Sequence, residues 1–68
     1  MPMIDLKNEA GEIRWISVFP FNSLDSARSY VENSSVPLKI IRGDVSVYWV
    51  CNPADAEWAV KCGYKEVK

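Results

Sequence analysis

The segment Asn52-Pro53-Ala54-Asp55 does most to narrow the folds open to this chain. Asn is a favoured helix N-cap, Pro suits the first helical position, and an Asp in the first turn faces the positive end of the helix dipole. The helix is predicted to run to Cys62, because Gly63 suits the left-handed residue that follows a helix. Since the apolar, β-branched run Val45–Cys51 directly precedes this start, a strand followed by a helix is predicted here.

The first half of the chain has a similar order of predicted elements. Ile4–Leu6 is a short strand candidate, and Ile13–Phe19 is predicted to be a strand because it is rich in β-branched and aromatic residues. The two are predicted to form a hairpin. The turn between them is expected at residues 8–11. Pro20 is expected to end the second strand, because proline cannot donate a hydrogen bond to a strand ladder.

An amphipathic helix of about three turns is predicted to begin at Asn22 or Ser23. Asp25 suits its first turn, and the polar segment 33–35 followed by Pro37 is expected to end it. Three further strands complete the predicted elements, and they cover Leu38–Ile41, Val45–Cys51 and a short terminal segment, Tyr64–Val67.

These elements predict the α+β fold class. The expected architecture is a two-layer ββα-ββα-(β) arrangement, with a mostly antiparallel four-stranded sheet and both helices on one face. The 68 residues allow one small domain. Residues 4–34 and 38–67 are a possible pseudo-repeat of about 30 residues, because Asn22 and Asn52 both stand where a strand gives way to a helix. Any strand-to-helix junction favours such caps, so duplication stays one of two interpretations.

The two central predicted strands are partly apolar on both faces. Trp15 alternates with Ile16 in one of them, and Trp49 alternates with Tyr48 in the other. A sheet with one face in water alternates apolar and polar residues more cleanly. The second face is therefore either covered by the tail and loops, or it exposes apolar area that marks an interaction site.

Trp58 lies at the margin of its predicted helix, beside a Glu57–Lys61 pair at i,i+4 spacing. Such a residue is either a partly buried core residue whose indole N–H reaches water, or an anchor for a binding partner. The candidate partner-binding residues are therefore four aromatic ones: Trp15, Tyr48, Trp49 and Trp58.

Enzymatic chemistry is hard to assemble from these residues. The chain has no His, the commonest general base, and each of its three Gly has a predicted turn or cap role rather than a place in a phosphate-binding loop. Two Cys without His cannot complete a tetrahedral zinc site. We therefore predict that the chain is not an enzyme and has no catalytic residues, metal or cofactor. A catalytic or redox role of Cys51 is the third interpretation of its function, and a disulfide to Cys62 is not expected because a helix separates the two.

Charge and hydropathy bear on partners and location. The 8 Lys and Arg are interspersed with 9 Asp and Glu, for a net charge of −1, which argues against a nucleic-acid partner. The start of the chain lacks the apolar core of a signal peptide, and its longest uncharged run is far shorter than a membrane span of about 20 residues. A cytoplasmic protein with reduced thiols and no membrane contact is predicted.

Two functions compete on this basis. The leading one is a small non-catalytic interaction or adaptor module, which binds a protein partner or a second copy of itself through an apolar sheet face. The alternative is a single-stranded nucleic-acid-binding module that stacks bases on the same aromatic residues, with Arg14, Lys39 and Arg42 nearby.

Overall fold

The computed structural model describes residues 3–43 and 46–67, and it confirms the predicted α+β class. Over these residues the chain forms two helices and six strands, arranged in two antiparallel sheets. In chain order the elements are β1 (Met3–Lys7), β2 (Ile13–Ser17), β3 (Phe19–Phe21), α1 (Leu24–Glu32), β4 (Lys39–Arg42), β5 (Tyr48–Cys51), α2 (Pro53–Lys61) and β6 (Lys65–Val67).

The predicted strand Ile13–Phe19 is two strands in two different sheets. β2 pairs with β1 as a hairpin, whereas β3 pairs with β5 in the other sheet. Val18 lies between the two strands and is only 2% exposed. Its buried side chain continues the apolar pattern of the sequence, but its backbone belongs to neither strand. Pro20 does not end a strand: it lies in the middle of β3, opposite Trp49. Proline is tolerated there because β3 is an edge strand.

The second sheet has four strands in the order β3-β5-β4-β6, and all neighbours are antiparallel. A four-stranded antiparallel sheet is therefore present, but β6 belongs to it and the β1-β2 hairpin does not. The sequence predicts a strand over Val45–Cys51, with a tight turn at residues 42–44 before it. These two predictions fall partly on Asp44 and Val45, which lie outside the described residues. Within the described part, β5 begins at Tyr48.

The two helices lie on opposite faces of this sheet, which corrects the expectation of both on one face. Ile40 belongs to the hydrophobic cluster of Ala27 in α1, and Ile41 belongs to the cluster of Ala59 in α2. Adjacent residues of a strand point to opposite faces, so each helix covers one face. For β4 and β5, the central strands of this sheet, the poor alternation in the sequence has this cause: both faces are apolar because each is covered by a helix.

The β1-β2 hairpin packs on the α2 side as a further layer. Leu6 and Ile16 on its inner face join the cluster of Ala59. Two hydrogen bonds add to this packing: the Ser17 amide donates to Asp55 Oδ2 at 3.3 Å, and the Trp58 indole nitrogen donates to the Leu6 carbonyl oxygen at 3.2 Å. Both strands of the hairpin are therefore attached to α2.

Both helix starts are confirmed. The Ser23 side chain accepts a hydrogen bond from the Ser26 amide at 3.1 Å, and the Asn52 side chain accepts one from the Asp55 amide at 2.7 Å. At the end of α2, Gly63 has φ +101°, the left-handed conformation that the sequence predicts. The pseudo-repeat of 4–34 and 38–67 stays a prediction.

Candidate interaction surface

The outer face of the β1-β2 hairpin exposes three large apolar side chains. Trp15 is 60% exposed, Ile13 61% and Met3 56%. Residues alternate between the two sides of a strand, so these side chains lie opposite the buried Leu6 and Ile16. The residues of this outer face, here called the hairpin face, are Met3, Asp5, Lys7, Ile13, Trp15 and Ser17.

The strand register sets how the hairpin face is arranged. Asp5 lies directly opposite Trp15, and Lys7 lies directly opposite Ile13. Paired strands are about 4.8 Å apart, and side chains two residues apart on one strand are separated by about 6.8 Å. The face therefore has an acidic–aromatic row next to a basic–aliphatic row.

Trp49, a predicted partner-binding residue, is a core residue. It is 9% exposed and belongs to the cluster between the sheet and α2. Its ring centroid lies 5.1 Å from that of Tyr64, at an interplanar angle of 53°. A Cβ atom added at Gly43 would lie 2.6 Å from a carbon of the Trp49 ring, so the indole packs directly against glycine backbone.

Tyr48 precedes Trp49 in β5 and therefore points to the opposite face of the sheet. It is half-buried there, packed against the cluster of Ala27 in α1. Tyr48 and Trp49 therefore lie on opposite faces of the four-stranded sheet, as their alternation in the sequence predicts, and a helix covers each face.

Trp58 is half-buried between α2 and the hairpin. Its indole N–H donates to the carbonyl oxygen of Leu6, and the Arg14 guanidinium lies 5.8 Å from its ring centroid. These contacts favour the interpretation of Trp58 as a partly buried core residue, and they give it a role in holding the hairpin to the helix.

Of the four predicted partner-binding residues, only Trp15 is exposed by more than half of its surface. Met3 and Ile13 are not among the site residues predicted from the sequence. The alternation that places Ile13 beside Trp15 is visible in the sequence. The place of Met3 on the hairpin face, by contrast, depends on its pairing with Ser17, and strand pairing is a tertiary feature that the sequence does not show.

The cations proposed for nucleic-acid binding are not gathered beside Trp15. Arg14 is adjacent to Trp15 in β2 and points to the other side, over Trp58. Lys39 forms an ion pair with Glu66 at 3.5 Å in the four-stranded sheet. Arg42 lies in the same sheet, opposite Tyr48.

A cavity of about 640 Å³ lies away from the hairpin face, beside the C-terminal half of α1. Phe21 and Tyr30 contribute aromatic walls, with ring centroids 5.4 Å apart, and Asn33 with four serines contributes polar groups. Its lining is uncharged, whereas the hairpin face carries a charge of each sign.

Burial, together with the nearby carboxylates of Asp55 and Glu66, raises the pKa of the Cys51 thiol to about 11. A thiol with this pKa is protonated at neutral pH, and the thiolate is the nucleophilic form. Burial also raises the pKa of Cys62, and both cysteines are free. Among the described residues, no group of three or more His, Cys, Asp or Glu side chains is placed to hold a metal ion.

Comparisons with protein-family models, with curated proteins and with solved structures find no match to this chain. Within the described residues, neither helix is long and apolar enough to cross a membrane.

Proposed function

We propose that this chain is a small non-catalytic interaction module that binds protein through the hairpin face, with Trp15 as the anchor. The observation that carries the proposal is the exposure of Trp15, Ile13 and Met3 on one face of a hairpin whose other face is buried. Trp is enriched at the energetic centres of protein interfaces, and contiguous exposed apolar groups mark such sites.

Energetics supports this choice of surface. Burying a large apolar side chain stabilises a fold by about 1.5 to 3 kcal/mol, and a small chain has few such residues to spare. Trp49 and Trp58 contribute to the core of the chain, whereas Trp15 is left at the surface. A partner that covers Trp15 would gain the stabilisation that the monomer does not use.

The hairpin is also held in place before any partner arrives. The bonds from Ser17 to Asp55 and from Trp58 to Leu6 fix both strands on α2. A fixed surface loses little conformational entropy on binding, which favours affinity.

The proposed module is non-catalytic and cytoplasmic. The raised pKa of the buried Cys51 thiol argues against a catalytic or redox function at that residue. We propose a module without metal, small-molecule cofactor or membrane contact, working in the cytoplasm where its two free thiols stay reduced.

The test places a photoreactive phenylalanine analogue at position 15, and in a matched variant at position 30. Tyr30 is the control because it is also aromatic and exposed, but it lies on α1, across the four-stranded sheet from the hairpin. After irradiation in cells of the source organism, mass spectrometry identifies the crosslinked peptides.

We expect reproducible crosslinks to a defined protein surface, on another protein or on a second copy, from position 15 and few from position 30. Equal crosslinking from both positions, or crosslinks from position 30 alone, would contradict the proposal. So would the absence of any protein adduct at position 15.

A further inference from the structure

The hairpin face has charges of opposite sign in a self-complementary arrangement. Asp5 and Lys7 are successive outward residues of β1, and Trp15 and Ile13 are their cross-strand neighbours on β2. A two-fold symmetric interface requires one patch to match itself, so that each contact occurs twice. The pattern of this face can be compared directly with that requirement.

One two-fold axis meets the requirement. It lies in the plane of the interface, runs perpendicular to the strands and passes between the two rows. With two hairpin faces opposed across such an axis, Asp5 faces the partner's Lys7 and Trp15 faces the partner's Ile13. Each charged contact then joins opposite signs, and each Trp15–Ile13 contact joins apolar groups, while Met3 and Ser17 lie outside these four matched positions. An axis through the Asp5–Trp15 row would instead oppose two Asp5 carboxylates, so the charges also select one register.

The overall charge permits such an association. The net charge of −1 gives two copies little long-range repulsion. The face itself is small: five-residue strands are about 17 Å long, which leaves far less than the roughly 800 Å² per partner of a standard interface. The dimer is therefore expected to be weak, concentration-dependent and sensitive to salt.

We infer that the protein bound by the hairpin face is a second copy of this chain, docked about a two-fold axis with Asp5 against the partner's Lys7. This inference rests on the proposed function, because it names the partner of the same surface. The hairpin face is thereby a homodimer interface in which Trp15 covers the partner's Ile13.

Charge reversal tests the register. Sedimentation equilibrium is measured over a concentration series for the wild type, D5K, K7E and the charge-swapped double variant D5K/K7E. Each single variant places two like-charged pairs in the interface, so its dimerisation is expected to weaken on the order of tenfold. The double variant restores opposite signs and is expected to dimerise as the wild type does.

Mixing the two single variants is the sharper measurement. A D5K chain has two positive groups on the face and a K7E chain has two negative ones. In a heterodimer of the two variants, both contacts between position 5 of one chain and position 7 of the other join groups of opposite sign. The mixture is therefore expected to form heterodimers at concentrations where each variant alone is monomeric.

Lys65→Glu is the matched control, because it changes net charge as K7E does but lies on β6, in the other sheet. A K65E variant that weakens dimerisation as much as K7E would overturn the inference. So would a mixture of D5K and K7E that stays monomeric. If that mixture stays monomeric while position 15 crosslinks to a different protein, the inference fails and the proposed function stands; without any adduct at position 15, both fail.

Discussion

The indole nitrogen of Trp58 in α2 donates a hydrogen bond to the carbonyl oxygen of Leu6 in β1 at 3.2 Å, across 52 positions of sequence. The hairpin is a separate two-stranded sheet, and isolated hairpins have marginal stability in water. This bond, together with the buried Leu6 side chain, explains how the hairpin is held against the helix and can present Trp15 outward.

Replacing Trp58 by Phe removes the hydrogen-bond donor and keeps much of the ring packing. We expect W58F to lower the free energy of unfolding by about 1 to 2 kcal/mol, because the hydrogen bond to the Leu6 carbonyl oxygen is lost and Arg14 loses part of its cation–π contact. Urea denaturation measures this loss. The control is W15F, whose exposed position predicts a change within about 0.5 kcal/mol; equal losses in both variants would contradict the assigned roles.

Replacing Gly43 by Ala introduces a Cβ atom 2.6 Å from the Trp49 ring. The ring is buried, so it cannot move aside freely, and we expect a loss of about 1 to 3 kcal/mol from overpacking. The double-mutant cycle with W49F isolates the clash. Because the smaller ring leaves room for the new methyl group, G43A should be less damaging in the W49F background; strictly additive losses would show that the two residues do not meet.

The stability of the fold should depend on pH through Cys51. Burial, with Asp55 and Glu66, raises the pKa of this thiol from the ordinary value of 9.0 to about 11. Below pH 9 the thiol is protonated in both states and contributes no pH dependence. Between pH 9 and 11 only the unfolded thiol loses its proton, so stability falls as pH rises, by about 2 to 3 kcal/mol in total.

Denaturation of the wild type and C51A across this range measures that contribution as a difference of slopes, in which effects common to both proteins cancel. We expect a shallower alkaline loss in C51A. Identical slopes in the two proteins would show that the Cys51 thiol does not titrate differently in the folded state.

Local chemistry was sufficient to predict the helices. The side chains of Ser23 and Asn52 accept hydrogen bonds from amides three residues ahead, and Gly63 has the left-handed conformation expected of it. These signals lie within a few residues of the helix ends they define, so the sequence contains them in full.

The strands and the layers depend on contacts that are remote in sequence. Nothing in the local sequence distinguishes Val18 from its neighbours, yet the strand pairing with β1 ends before it. Pro20, two residues later, lies in an edge strand of the other sheet. Because Tyr48 and Trp49 are both apolar, the sequence is compatible with a helix on each face of the sheet and also with one exposed apolar face. Only the tertiary structure decides between these two arrangements. Of the four aromatic residues predicted for the candidate surface, only Trp15 therefore belongs to the hairpin face, together with Met3 and Ile13.

The central claim is that copies of this chain meet through the hairpin face. Amide chemical shifts measured by NMR over a concentration series test it most directly, because every backbone N–H reports its own surroundings. We predict that the shifts that change with concentration cluster at residues 3–7 and 13–17, and that W15A abolishes them. Shifts that change instead around Tyr30 and Asn33, or that do not change at any residue up to millimolar concentration, would contradict the account.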